Sequence, residues 1–376
     1  MSDRLTPSRM ELRLEAEIAG ANTPLAADCK RAELAGYHAR LGRFDEAKST
    51  LAALHQRYDS RPNVAISSWV NLVEGLIGHF SDMDPGARDK VLRAHALSTA
   101  AGLTSMRALS AAWLAHMDYL QANVPSMVTR VKEVLAITSP YGDSAYSRVN
   151  LVVAQAYHVA GGLNVAIPWY SRSREWAGMQ GDEATISALM HNMAWLRAHE
   201  LRRLAFSEQD IDQSKRHALL SVESTGNFDF LIGSSSLQSL VPILRAQVLS
   251  VLGREAEALA LYERHLGAAL REGMARHQAD LTADIAWCQL TLGQTDRATV
   301  SAIAAEASIN PSGHYDDRAL AHSRLAQVFK SLGQLEQATR HQALADNAWA
   351  GHALLRQRLL DGLSDVFVQP SGPPLN

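Results

Sequence analysis

The sequence has little of what many enzymes and secreted domains require. It has two cysteines, Cys29 and Cys288, far apart in the chain. They supply neither a disulfide framework nor a zinc site, and their apolar helical surroundings suit inert buried thiols. There is no glycine-rich phosphate loop and no dinucleotide fingerprint. Gly233-Ser234-Ser235-Ser236 lacks the second glycine of a nucleophile elbow. His199-Glu200 is not followed by the second histidine of a zincin helix, because position 203 is Arg203. The 15 histidines show no metal-ligand spacing, and no paired acid and base emerge. The chain is therefore expected to be no enzyme, with no cofactor and no metal. An excess of one charge is also missing. The 36 basic and 39 acidic residues leave a net charge of -3, which removes the electrostatic reason to expect nucleic acid or an anionic membrane. The first twenty residues contain no apolar signal core. One uncharged stretch, Val149 to Ser171, is long enough to cross a bilayer, but it contains Asn150, Gln155, His158, Gly161, Gly162, Asn164 and Pro168. It is expected to form a helical hairpin, and the chain to be cytoplasmic.

What the sequence does have is alanine, 59 of 376 residues, in a chain that is 47% hydrophobic and 20% charged. That composition favours a folded helical protein. The alanines are ordered. Gly42, Gly161, Gly253, Gly293 and Gly333 are each followed five positions later by alanine, at 47, 166, 258, 298 and 338. Each is preceded by seven positions by another, at 35, 154, 246, 286 and 326. Weaker copies centre on Asp82, Ala122 and Leu201, so the turn positions are 42, 82, 122, 161, 201, 253, 293 and 333. All but one of the steps are 39 or 40 residues; the exception, 201 to 253, implies an insertion. Glycine suits a left-handed turn between two helices. The flanking alanines let the helix axes approach where they cross. Apolar residues recur at helical spacing around them, as at Leu34, Leu41, Phe44, Ala47, Leu51 and Leu54. A single hairpin cannot bury its apolar face, so neighbouring hairpins must stack.

This pattern resembles the tetratricopeptide repeat superfamily, over roughly residues 28–350. The match lies in the small residue of helix A, the turn glycine, the following aromatic or aliphatic residue (Phe44, Leu163, Leu335) and the alanine of helix B. The 40-residue unit is longer than that family's usual one and is similar to the sensor regions of bacterial signalling proteins, such as the maltose-activator type or the repeats preceding some GGDEF cyclase domains. The resemblance implies an all-α, right-handed α-solenoid of about eight antiparallel helical hairpins. Residues 1–24 are expected to hold a capping helix, Arg9 to Ala19. Residues 25–346 form the repeats, with the insertion near 207–236. Residues 347–365 form a C-terminal capping helix, and 366–376 a disordered tail rich in proline. Within 221–238, Gly226, Asn227, Gly233 and three serines are expected to break the helix.

The resemblance also implies that helix A lines a concave groove. Carried over residue by residue, the inward positions include Arg148, Gln155 and His158 in the fourth repeat, and His191 and Trp195, with Asn192 and His199 adjacent, in the fifth. They include Gln247 in the sixth, Trp287 in the seventh and Gln327 in the eighth. Amide and aromatic groups together suit an extended peptide or protein segment, because amides pair with a peptide backbone and tryptophan fills a pocket. The early inward positions, Ala32, Gly36, Ala39, Trp69, Leu72 and Leu76, are mostly apolar and suit a partner or homodimer surface. The Lys/Asn/Arg clamp that some family members use for a C-terminal carboxylate is not visible. The expected function is non-enzymatic binding of a peptide or protein segment as a sensor or adaptor in bacterial signalling. The alternative is a dimeric module that responds to a small molecule, and a second alternative is an enzyme with an unrecognised site.

Overall fold

The turn glycines and cap residues divide the chain where the spacing predicts. The computed structural model describes residues 7–137, 144–206, 212–232, 234 and 238–366, and all regular structure among them is helical. The helices are α1 (Arg9–Ala19), α2 (Pro24–Arg40), α3 (Phe44–Tyr58), α4 (Val64–Asp82), α5 (Ala87–Ala100), α6 (Thr104–Leu120), α7 (Val124–Ile137), α8 (Ser144–Val159), α9 (Leu163–Gln180), α10 (Glu183–Leu204), α11 (Asp212–Ile232), α12 (Leu240–Val251), α13 (Glu255–Ala269), α14 (Gln278–Thr291), α15 (Thr295–Ala307), α16 (Tyr315–Ser331) and α17 (Leu335–Leu363). Their starts are chemically marked. Ser8 and Glu11 form a reciprocal capping box. Thr23 caps α2 ahead of Pro24, and Asn63 caps α4.

Gly42, Gly161, Gly253, Gly293 and Gly333 all take left-handed φ between 75° and 84°. The residue after each closes the turn by donating to a carbonyl five positions back, as Arg43 does to His38 and Gln334 to Phe329, at 2.9 Å. The uncharged stretch predicted as a hairpin is one, α8 and α9. Helix pairs α2/α3, α4/α5, α6/α7, α8/α9, α12/α13 and α14/α15 pack within themselves. First helices also stack on one another, as in α2 on α4, α6 on α8 and α14 on α16. All ten signature alanines are buried. In the weak second copy Gly75 plays the alanine's part: a Cβ there would lie 2.7 Å from Val91 and 2.9 Å from the Ala87 carbonyl.

Three expectations are corrected. The turn placed at Asp82 has its left-handed residue at Met83, φ 56°. The turn placed at Leu201 falls instead at 205–206; Leu201 is buried inside α10. The expected helix break at Gly226 and Asn227 does not occur, because α11 runs through both to Ile232. Gly226 serves close packing, since a Cβ there would sit 3.1 Å from Val241. The rest of the 221–238 expectation, at 233 and 235–237, lies outside the described residues, as do 207–211 and the tail at 367–376. Cys288 is buried, its thiol pushed up to about 12 by burial and then by Asp284, whereas Cys29 is only half-buried.

The chain divides into two compact units. Unit 1 comprises Met1–Leu189, Phe228–Ser236 and Gln357–Asn376; unit 2 comprises Met190–Asn227 and Leu237–Arg356. Unit 1 has one core on α2 to α6, including Ala35, Leu51, Val73, Val91 and Leu114, and another in which Met10 and Leu14 of α1 meet Tyr37, Leu41 and Phe228. Unit 2 has cores around Ile243, Tyr262 and Leu281, around Ala286, Leu325 and Phe329, and around Ala198, Leu201 and Val222. No described helix is long and apolar enough to cross a membrane.

Candidate functional site

In unit 1 the helix-A positions carried over from the repeat pattern converge on a cleft. Gly36 of α2, Trp69, Leu72 and Leu76 of α4, and Arg148 of α8 line it together with Trp113 and Asp182. Ala32 and Ala39, expected beside Gly36, are fully buried between helices. The chemistry of the cleft centres on Arg148, which is 3% exposed. Its guanidinium lies over the Trp113 ring, 4.1 Å from the centroid, and its Nη2 points at Thr185 Oγ1 at 3.4 Å. Among the described residues Arg148 forms no ion pair.

The nearest carboxylate is already engaged. Asp182 accepts from Arg40 Nη1 at 2.9 Å, from the Thr185 amide at 3.0 Å and from Thr185 Oγ1 at 2.9 Å. Arg40 also donates to Thr185 Oγ1 at 2.9 Å. Glu33, at the rim, is paired with Lys30 at 2.8 Å. Two guanidinium groups therefore face one carboxylate in a buried place. Burial, then repulsion from Arg40, draws Arg148 down from 12.5 to about 9, with Asp182 opposing. Behind Trp113 stand His79 and His116, edge-on at 6.4 and 5.8 Å. Burial and then Arg148 hold His79 down to about 4. Burial, His79 and Arg148 hold His116 well below the ordinary histidine value. Both are neutral near pH 7, so they supply no counter-charge and add no further positive charge. The cleft holds about 30 Å³ of free volume, and a buried guanidinium stacked on an indole with no ion-pair partner among the described residues is suited to a small anion.

The other expected site residues lie elsewhere. On α8, Gln155 is buried and His158 shares a hydrogen bond with Tyr170 Oη at 3.1 Å; neither lines the cleft. In unit 2, His191, Asn192 and Trp195 are half-buried on α10, and Gln247 on α12 is fully buried. Gln155 and Gln247 are thus enclosed in the helix packing and line neither the unit 1 cleft nor the shallow depression that Gln327 lines. Trp287 is half-buried and faces Arg324, 5.3 Å from ring centroid to Cζ. Gln327 accepts from Arg324 Nη1 at 2.7 Å and lines a shallow depression with Arg203, Phe206 and Trp349.

Unit 2 also assembles a group that spacing could not reveal. His199 of α10, His277 and Asp317 of α16 each bring a donor atom within 4.8 Å of the others. Trp195 lies against both imidazoles, with centroids 4.4 and 4.5 Å away. Burial and then Arg202 hold His199 down to about 3. Burial disfavours a charged His277, but Asp317, 3.1 Å from its Nδ1, raises it. No family model matches the chain, and no curated protein matches it either.

Proposed function

We propose that the chain is a non-enzymatic, tetratricopeptide-like helical solenoid that binds a peptide segment through a carboxylate held in the unit 1 cleft. The observation that carries this reading is Arg148: buried, stacked on Trp113 and without an ion-pair partner among the described residues. A single uncompensated positive charge matches a singly charged carboxylate better than a doubly charged phosphate. Trp69, half-buried at the cleft, supplies the apolar contact for the rest of the terminal residue. The residues differ from the Lys/Asn/Arg clamp of the resembling family, so this is a separate solution to the same chemistry. The resemblance to long-unit sensor regions supports a role as a sensor or adaptor in bacterial signalling.

A second reading is a module responding to a free small carboxylic acid. It is favoured by the compactness of the cleft, which six helices and the Asp182 turn enclose. One experiment separates the two. Fluorescence polarisation with a peptide library ending in apolar residues is run with free and amidated C-termini, beside a panel of aromatic and aliphatic acids. Peptide binding that amidation removes, and that Arg148→Met weakens at least tenfold, supports the first reading. Binding of an acid but of no peptide moves the assignment to the second. If nothing binds in an Arg148-dependent way, both fail.

A further inference from the structure

We propose that His199, His277 and Asp317 of unit 2 form a three-ligand site for a divalent transition-metal ion, with Zn²⁺ the best match to the donors. Two imidazoles and one carboxylate are a donor set that first-row metals prefer. In a four-coordinate zinc site with bonds of about 2.0–2.1 Å, donors sit roughly 3.3 Å apart. His277 Nδ1 and Asp317 Oδ1, at 3.1 Å, already form such an edge. With one donor atom from each of the three residues within 4.8 Å of the others, modest inward movement closes the set.

The second observation is what these atoms lack. Nε2 of His199 is buried and has no hydrogen-bond partner, and neither oxygen of Asp317 has one. Both residues are more than nine-tenths buried. Asp280 Oδ1, also buried and without a hydrogen bond, stands 3.5 Å from His277 Nδ1 and is positioned to be a fourth ligand. His199 Nε2 is a buried lone pair that faces no donor, and among the described residues Asp317 is met only by the ion pairs with His277 at 3.1 Å and Arg276 at 3.4 Å; a cation would satisfy the first and take the place of the proton and guanidinium at the second. The outer groups fit as well. Asp316 Oδ2 lies 4.0 Å from His199 Nδ1, the place of the carboxylate that orients a metal-bound imidazole. The indole of Trp195 covers both rings. His277 itself is set by a kink at Gly273, φ 103°, followed by a 3-10 turn, Ala275–His277.

Arg276 is the built-in competitor. Its Nε donates to His277 Nε2 at 2.8 Å and lies 3.4 Å from Asp317 Oδ2. A metal on Nδ1 puts the imidazole proton on Nε2, which then cannot accept from Arg276. The guanidinium must swing out, and its half-exposed side chain has room to do so.

The test uses the full chain after chelator treatment, titrated calorimetrically with Zn²⁺ alone and, separately, with Co²⁺ followed by visible absorption. Wild type is expected to take one Zn²⁺ and to show the visible bands of a four- or five-coordinate Co²⁺ site. His199→Gln and Asp317→Asn are expected to weaken Zn²⁺ at least tenfold, while His55→Gln, an exposed histidine of unit 1, changes nothing. Arg276→Gln is expected to tighten binding several-fold, a gain that damage to the fold cannot mimic. The proposal is overturned if wild type binds no stoichiometric Zn²⁺. It is equally overturned if His199→Gln and Asp317→Asn, folded by circular dichroism, bind as wild type does, or if Arg276→Gln does not tighten binding.

Discussion

Arg202 is almost wholly enclosed in unit 2, and its position shows what a buried charge demands. It pairs with Asp280 at 2.8 Å and with Asp284 at 2.9 Å; Asp284 also accepts from Arg324 at 2.8 Å and from Tyr262 at 3.1 Å. Removing one member leaves the others charged and dry. Asp284→Asn is expected to destabilise the protein by about 3–5 kcal/mol in urea unfolding, the usual penalty for breaking a buried pair. The solvent-facing Arg254–Glu257 pair is different, and Arg254→Ala should leave the urea midpoint nearly unchanged. A second prediction at this scale concerns protons. His79 titrates near 6.5 when unfolded and near 4 when folded, lowered by burial and then by Arg148, with neutral His116 also facing it. Between those values the unfolded chain binds more protons, so stability falls as pH drops through that window. His79→Phe should flatten the stability-against-pH curve between about 6 and 4. A variant curve parallel to wild type would show that His79 does not carry the sensitivity.

At the scale of the element, the turns between helices are where sequence and structure agree most closely. A cluster of glycine and two alanines at fixed spacing is a local code: the glycine supplies positive φ and the alanines supply close approach, so both were legible without knowing the partner helices. Where the code decays, so does legibility. Leu201 occupied the expected turn register, but an uninterrupted helix former on a buried face simply prolongs α10. Gly226 looked like a breaker because its packing partner, Val241, is not visible from the chain around it. The code can be tested by exchanging its members. Gly293, at φ 76° with open space around its Cα, should lose about 1–2 kcal/mol as Gly293→Ala, through backbone strain alone. Ala122 holds a comparable φ of 54° with the wrong residue. Ala122→Gly should therefore be neutral or stabilising by up to about 1 kcal/mol. Equal effects of the two exchanges in chemical denaturation would refute this account of the turns.

For the whole molecule, the division into two units limits what the sequence could disclose. A repeat register implies one continuous array; it named Gly36, Trp69, Leu72 and Leu76 as an apolar partner surface and Arg148 as a groove residue, whereas the structure places all five around one cleft of unit 1. It could not show that Asp182 is consumed by Arg40 and Thr185, because that charge balance depends on contacts far apart in sequence. It placed His199 beside the groove positions but could not join it to His277 and Asp317, which arrive from other segments with no spacing rule to link them. The compact units nevertheless have cores of their own, and that has a thermodynamic consequence. Leu114 is fully buried in a unit 1 core and Leu325 in a unit 2 core. Truncating either to alanine should cost about 2–5 kcal/mol by lost burial and cavity formation. Stability in stacked helical hairpins is built from local terms and nearest-neighbour contacts, so damage stays close to where it is made. Scanning calorimetry should then resolve two transitions in the wild type. Leu114→Ala should lower one of them and Leu325→Ala the other. A single transition that both variants lower equally would mean that the two cores unfold as one cooperative body.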